Sequence, residues 1–453
     1  MLRTTIIKLP GVRNVCGVRS ICENSSLREN PSGLPNIVLV DTVRTPFLTS
    51  GTSYKDMMAV DLQRIALLGI LYICLGLIDR TKINPNRIDH IVCGTVVQEC
   101  RTTNLAREAA LTAGIPDTAT ITDLMSLMQS KKIQVGVAGG VELLSDIPIR
   151  YNRKARSAML SLQKTKKPLD KLKVASRIAL NFFVPELPAV AEFTSGETMG
   201  KSGDRLAAAF GVSRKEQDEF ALRSHVLASK AALEGFFTDI IPTFIPGKLP
   251  LIVRKDNGIR SSSMEQLMKL KPSFVKPHGT ITPGNASFLT DGASAALIMT
   301  EEYALKNGFK PKAYLRDFLY VAQDPKDELL LSPAYAIPRL LNKTKLSIQD
   351  IDVFEIHEAF AGQLLANINA LDCDYFCKEK LHLSEKFGLI PLEKLNLWGG
   401  SLSIGHPFGA TGIRLVSHAA NRLIKEKGRY GLVSACASGG HGVAMLLERY
   451  TKS

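Results

Sequence analysis

Two glycine-rich stretches near the C-terminus hold the side chains best suited to chemistry. Trp398-Gly-Gly-Ser-Leu-Ser-Ile-Gly-His-Pro-Phe-Gly-Ala-Thr-Gly412 carries His406. Val433-Ser-Ala-Cys-Ala-Ser-Gly-Gly-His-Gly442 carries Cys436 and His441. Glycine at this density lets backbone approach a ligand and costs conformational entropy on folding. His406 precedes a helical pattern running from Ala410 through Leu415 and Ala419 to Leu423, and an imidazole there exchanges protons near neutral pH. Cys436 closes the apolar run Tyr430-Gly-Leu-Val-Ser-Ala-Cys, which reads as a buried strand. The N–H groups of Gly439 and Gly440 just beyond it are placed to meet an anionic oxygen. Thiol, imidazole and backbone donors together suit acyl transfer. A buried core thiol is the plainer reading of a cysteine that ends a strand. His357, His406, Cys436 and His441 also number four conceivable metal ligands, but no close Cys/His pairs with finger-like spacing join them, and no metal is expected.

The elements that must position these groups are those of a large globular chain. Its 453 residues are 45% hydrophobic and 22% charged, which excludes disorder for the bulk of it and leaves room for two or three domains. A net charge of +14 favours anionic partners: nucleic acid, acidic lipid or phosphorylated cofactors. Eight cysteines without regular spacing point to a reducing interior. Met1 to Cys22 carries Arg3, Lys8, Arg13 and Arg19, no acidic residue and no long apolar core, and reads as a mitochondrial transit peptide or a basic tail.

Folded structure is expected from Pro35. Asn36–Asp41 is an apolar strand, and a helical pattern follows over about 60–76. Ile83-Asn-Pro-Asn-Arg-Ile-Asp-His-Ile-Val-Cys-Gly94 and Leu346-Ser-Ile-Gln-Asp-Ile-Asp-Val-Phe-Glu-Ile-His357 share one layout, and apolar strands at Ile133–Gly140 and Tyr430–Cys436 follow at comparable places. That repetition predicts two α/β halves with a seam after Thr300. About 150–260 reads as an insertion. Arg150 to Phe183 holds ten basic residues and one acidic residue, Asp170, and Pro168 can start a helix with Leu169, Leu172, Ile178 and Phe182 on one stripe. Such a segment suits a membrane surface or subunit docking, or an exposed basic face. Ser213-Arg-Lys-Glu216 is a capping box opening a helix to about Glu234.

From about Pro35 to Tyr450 the chain resembles the thiolase family, most of all its trifunctional β-subunit branch. The matching text is Val43-Arg-Thr-Pro-Phe47, Val137-Ala-Gly-Gly-Val-Glu142, Asn285-Ala-Ser287, Asp291-Gly-Ala293, His357-Glu-Ala-Phe360, Gly405-His-Pro-Phe-Gly-Ala-Thr-Gly412 and Cys436 with Gly439 and Gly440. The resemblance implies an α/β fold of duplicated βαβαβ halves in a layered α/β/α/β/α core with an inserted loop domain. The implied divisions are 1–34 (transit peptide and polar leader), 35–300 (N-terminal half with its loop domain) and 301–453 (C-terminal half). It implies thiolytic cleavage of 3-ketoacyl-CoA by CoA to acetyl-CoA and a shortened acyl-CoA, in mitochondrial fatty-acid β-oxidation. His406 would activate a nucleophilic cysteine, Cys436 would move the α-carbon proton, His357 would help bind the thioester oxygen, and Ser287, Gly439 and Gly440 would line the substrate site. No permanently bound cofactor is implied, CoA and acyl-CoA being substrates. The implied partners are a second thiolase chain, a hydratase/dehydrogenase α subunit and anionic lipid on the matrix side of the inner membrane, with no nucleic acid.

The family's nucleophile lies between the helix matching Asn104 to Ala113 and the strand matching Val135 to Gly140. This chain has no cysteine between Cys100 and Cys373; the window reads Thr118-Ala-Thr-Ile-Thr-Asp-Leu-Met-Ser-Leu-Met-Gln-Ser-Lys-Lys-Ile133. A skipped exon, an inactive subunit of the same fold, or Ser126 as a weak substitute nucleophile are the expectations this leaves.

Overall fold

The computed structural model describes residues 34–68, 76–98, 100–102, 104–116, 128, 130–188, 191–192 and 195–452. The expected leader up to residue 33 and Ser126 therefore lie outside the described residues.

The N-terminal half contributes β1 (Ile37–Arg44), β2 (Leu48–Thr49), α1 (Ala59–Leu68), α2 (Leu77–Thr81), β3 (His90–Gly94), α3 (Leu105–Thr112) and β4 (Val135–Glu142). Asn104 caps α3 by accepting from the Arg107 N–H. The insertion follows with β5 (Arg150–Tyr151), α4 (Arg153–Lys164), α5 (Pro168–Phe182), β6 (Pro185–Glu186), α6 (Met199–Ala209), α7 (Arg214–Leu233), β7 (Thr243–Ile245), β8 (Leu251–Val253) and α8 (Met264–Met268). Both arms of the Ser213–Glu216 capping box form, and Pro168 opens α5 as its fixed φ suggests. Next come β9 (Thr290–Thr300), α9 (Glu301–Lys306), β10 (Ala313–Ala322), α10 (Ser332–Thr344), β11 (Val353–Ile356), α11 (Ala361–Leu371), α12 (Ser401–Ile404), α13 (Phe408–Lys425), β12 (Tyr430–Ala437) and β13 (His441–Arg449).

Among the described residues nine strands form one sheet, ordered β11-β12-β13-β10-β1-β9-β4-β3, with β2 against β9. Read outward from the centre, β1-β9-β4-β3 repeats as β10-β13-β12-β11. In each half the outer pair is parallel and the inner pairs antiparallel. This is the duplication expected from the repeated Ile-Asp-strand text. The halves meet at a narrow joint, where β1 and β10 pair only at Val38 with Tyr314 and Leu39 with Ala313.

Helix α13 packs on strands of both halves, β4 and β9 on one side and β11 and β12 on the other. Leu415, Ala419, Ala420 and Leu423 form its apolar stripe and share one core with Leu39, Ile298, Leu315, Val353 and Val433. A second core fills the space between α1, α3 and the first half's strands, around Leu62, Ile65, Ala109, Val137 and Leu297. Burying a Leu or Ile side chain stabilises by roughly 1.5–3 kcal/mol, so the first core holds α13 against strands of both halves and the second holds α1 and α3 against the first half's strands.

Candidate active site

The site assembles at the C-terminal ends of the parallel strands β11 and β12 and the N-terminus of α13. Strand ends of this kind are where α/β sheets leave a crevice. His357 is the residue after β11, and its N–H donates to the Ser434 carbonyl at 2.9 Å, continuing the ladder with β12. Two residues beyond Ser434 on β12 stands Cys436. His406 lies in the loop between α12 and α13; its ring centroid is 4.1 Å from that of His357, tilted 44°. Ser287 lies on the segment joining the two histidine loops. Its N–H donates to the Ala359 carbonyl at 2.9 Å, Ala286 bridges Phe360, and Leu289 bridges His406. Asn396 brackets His357 on both sides, accepting from the Ile356 N–H at 2.9 Å and donating to the Ile356 carbonyl and to Glu358, each at 2.8 Å.

Thr411 Oγ1 lies 3.0 Å from the Pro407 carbonyl, as donor, and 2.7 Å from His406 Nδ1. With the hydroxyl proton on that carbonyl, Nδ1–H of His406 donates to Thr411 and the Nε2 lone pair is free to take a proton. Burial, with Arg414 adding to it, holds its pKa down at about 3, so the ring is a neutral base at physiological pH. Burial likewise keeps His357 neutral, reinforced by His406 and Arg414. Burial pushes the Cys436 thiol up to about 12, which makes it a proton donor rather than a thiolate.

The glycines have more than one purpose. Gly405 has φ +105°, and a Cβ there would lie 2.6 Å from Thr290 Oγ1, the atom that accepts the His406 N–H at 3.0 Å. A Cβ on Gly400 would overlap the Glu358 carboxyl, and one on Gly399 would lie 2.8 Å from the Ser224 carbonyl. Close packing, and not ligand approach, accounts for these two. Gly409 and Gly140 press backbone on backbone, and Gly409 also meets Gly94, so a methyl at either Gly409 or Gly140 would overlap main chain. Glu142, buried at the end of β4, clamps this crossing by accepting from the N–H groups of Val96, Val97 and Gly409 at 3.1, 2.7 and 3.0 Å.

Gly439 and Gly440 form the turn between β12 and β13, both at positive φ. The Gly439 N–H donates to the Glu192 carboxylate at 3.0 Å, and Ser438 Oγ donates to the same oxygen at 2.5 Å. An anion therefore sits at this turn, supplied by the insertion. The Gly440 carbonyl accepts from Gln323 N–H at 3.1 Å. His441 is exposed at the start of β13. Among the described residues no three His, Cys, Asp or Glu side chains gather to hold a metal ion.

Thr411, Thr290, Glu142 and Glu192 are site residues that sequence reasoning did not single out. Thr411 had a visible signal, a hydroxyl five residues after the histidine in the same glycine loop. Glu192 had none, since it stands 246 positions before Ser438 and only the fold of the insertion brings the two together.

The sequence matches the thiolase N-terminal domain over residues 37–302 and the thiolase C-terminal domain over 309–449. The chain belongs to the thiolase family. It is 63% identical over 433 residues to a probable 3-ketoacyl-CoA thiolase of Caenorhabditis elegans, spanning 92% of this chain and 95% of that one. It is 58% identical over 431 residues to the mitochondrial trifunctional enzyme subunit beta of Homo sapiens, spanning 92% and 89% of the two chains. The crystal structure of human mitochondrial 3-ketoacyl-CoA thiolase superposes with a TM-score of 0.74 at 28% identity, covering 92% of this chain and 99% of that thiolase.

Proposed function

We propose that this chain is a 3-ketoacyl-CoA thiolase subunit of mitochondrial fatty-acid β-oxidation, its site acting on the bond between C2 and C3 of a 3-ketoacyl-CoA. The observation that carries this is the adjacent pair of neutral histidines, His357 and His406, with the neutral thiol of Cys436 two residues beyond the ladder partner of His357 on β12. In thiolytic cleavage a thiol adds to C3, the C2–C3 bond breaks, and its electron pair passes to C2 as the enolate of acetyl-CoA. His406 Nε2 takes the thiol's proton, and Cys436 returns a proton to C2. The CoA thiol then attacks the acyl thioester and gives its proton to the Cys436 thiolate, and the first thiol departs, recovering its proton from His406.

A second reading, a non-catalytic subunit of the same fold, is favoured by one fact: no cysteine lies between Cys100 and Cys373. Cys93 is a strand residue whose thiol burial pushes up to about 12, and Cys100 is exposed in the following loop. Incubating the protein with 3-ketoacyl-CoA and CoA separates the two. Substrate loss with acyl-enzyme visible by mass spectrometry supports thiolysis. Deuterium exchange at C2 of acyl-CoA without substrate loss supports a competent half-site in a non-cleaving subunit. Neither loss nor exchange overturns the reading of the site.

For association we propose pairing with a second thiolase chain and with a hydratase/dehydrogenase α subunit at the inner membrane, reached by a cleaved N-terminal leader. Helices α4 and α5 support the membrane contact. They form a hairpin whose base is tied by β5–β6 and by Asn152, which donates to the Asn181 and Val184 carbonyls, each at 2.9 Å. α5 buries none of its residues, and Leu169, Leu172, Leu180 and Phe183 are 75%, 70%, 80% and 87% exposed among lysines. No described helix is long and apolar enough to cross a membrane.

A further inference from the structure

Behind the two histidines lies a pair of buried residues that neither the motif text nor the proposed chemistry uses. Ser401, at the first position of α12, and Arg414, in the second turn of α13, are both 0% exposed. Ser401 Oγ stands 3.1 Å from His357 Nδ1 and 2.9 Å from Arg414 Nη2. Arg414 Nε and Nη1 have no hydrogen-bond partner, and its nearest carboxylate contact, Nη1 to Glu355, is 3.8 Å. A fully buried guanidinium thus directs its good hydrogen bond to one serine.

A guanidinium only donates, so Ser401 Oγ accepts from Arg414. The serine's single proton then needs an acceptor, and among the described residues His357 Nδ1 is the one in reach. The reverse arrangement, His357 Nδ1–H donating to Ser401, would leave the hydroxyl proton facing two donors in a buried site. We propose that Arg414 and Ser401 are positioning residues that hold His357 as its Nε2–H tautomer. His357 then offers a hydrogen-bond donor to a carbonyl oxygen, while His406, locked by Thr411 the other way round, offers a lone pair. Two rings 4.1 Å apart would otherwise be interchangeable; opposite tautomers make one a base and the other a donor. What Nε2–H meets rests on the proposed thiolase function, whereas the tautomer rests on Arg414 and Ser401 alone.

The test is long-range proton–nitrogen NMR of the full chain labelled with 15N-histidine, the His357 ring being assigned from His357→Gln. The expected result is an unprotonated Nδ1 and a protonated Nε2 in the wild type, retained in Ser401→Thr. In Ser401→Ala the Nε2–H preference is lost. A wild-type ring that is Nδ1–H or doubly protonated overturns the proposal, as does a folded Ser401→Ala with an unchanged tautomer. If Ser401→Ala does not fold, the wild type and Ser401→Thr still decide. With acyl-CoA present, Ser401→Ala is expected to slow C2 deuterium exchange about 10²-fold, as loss of one oxyanion donor does, with KM little changed. Absence of exchange in every form tells against the function and leaves the substrate-free tautomer measurement standing.

Discussion

Thr411 Oγ1 lies 2.7 Å from His406 Nδ1 and gives its own proton to the Pro407 carbonyl, so one threonine decides which imidazole nitrogen is the base. Thr411→Val keeps the shape and removes the acceptor. We expect loss of 3-ketoacyl-CoA in the presence of CoA to fall at least about tenfold, a fraction of what a positioned general base contributes, with stability lower by only about 1 kcal/mol. A folded Thr411→Val that cleaves substrate at the wild-type rate would contradict this role.

Acid should unfold the protein partly through His406. Its pKa falls from 6.5 to about 3 on folding, so below pH 6.5 the unfolded chain binds a proton that the folded chain refuses. Stability from this group is fully present above pH 6.5 and is lost as pH drops toward 3, at about 1.4 kcal/mol per pH unit. Glu355, raised to about 7 by burial, acts in the opposite direction, and comparison with His406→Gln cancels its contribution. Urea midpoints of the two proteins should differ by a constant above pH 6.5, and wild type should lose ground steadily below it.

Arg44 joins β1 to the insertion through buried carboxylates. Nη1 and Nη2 donate to Asp256 at 2.7 and 2.9 Å and Nε to Asp239 at 3.1 Å; Asp256 also accepts the Phe47 N–H at 2.7 Å. Burial alone would lower the Arg44 pKa, but the two carboxylates outweigh it and raise it. Asp256→Ala leaves a buried guanidinium short of its main partner and should cost about 3–5 kcal/mol, read as a lower urea midpoint. An effect under about 1 kcal/mol would mean that water reaches this pair.

Binding of the α4–α5 hairpin to anionic vesicles should weaken with salt, each basic residue near the surface contributing about 1 kcal/mol. Replacing Lys164, Lys166, Lys167, Lys171 and Lys173 together by glutamine should abolish sedimentation with cardiolipin-containing liposomes. Unchanged binding would leave subunit docking as the use of this surface.

His406 and Cys436 were legible because glycine-rich loops around a lone imidazole or thiol are seldom built for packing, although Gly399 and Gly400 turned out to be. The duplication was legible because each half spells Ile-Asp before an apolar strand. Strand β9 was not: all eleven of its positions are buried, so it shows no alternation to mark it as a strand. The helix expected over about 60–76 is described only as far as Leu68. Arg414 was hidden by a different effect. With His418 and Arg422 it recurs every fourth residue on α13, which from sequence marks a solvent face, yet all three are buried. Only the fold shows that the face of α13 carrying these three residues is covered.

The crossing of Gly94, Gly140 and Gly409 sets a datum for the catalytic loop. Peptide rests on peptide there, with no side chain between, so the height of His406 above the sheet is gauged by bond lengths and not by rotamers. Loosening of side-chain packing by heat or by a core substitution leaves that height unaltered until the strands themselves part. The amides of the loop should therefore exchange with solvent in the same cooperative step as β3 and β4, and not ahead of them as surface loops do.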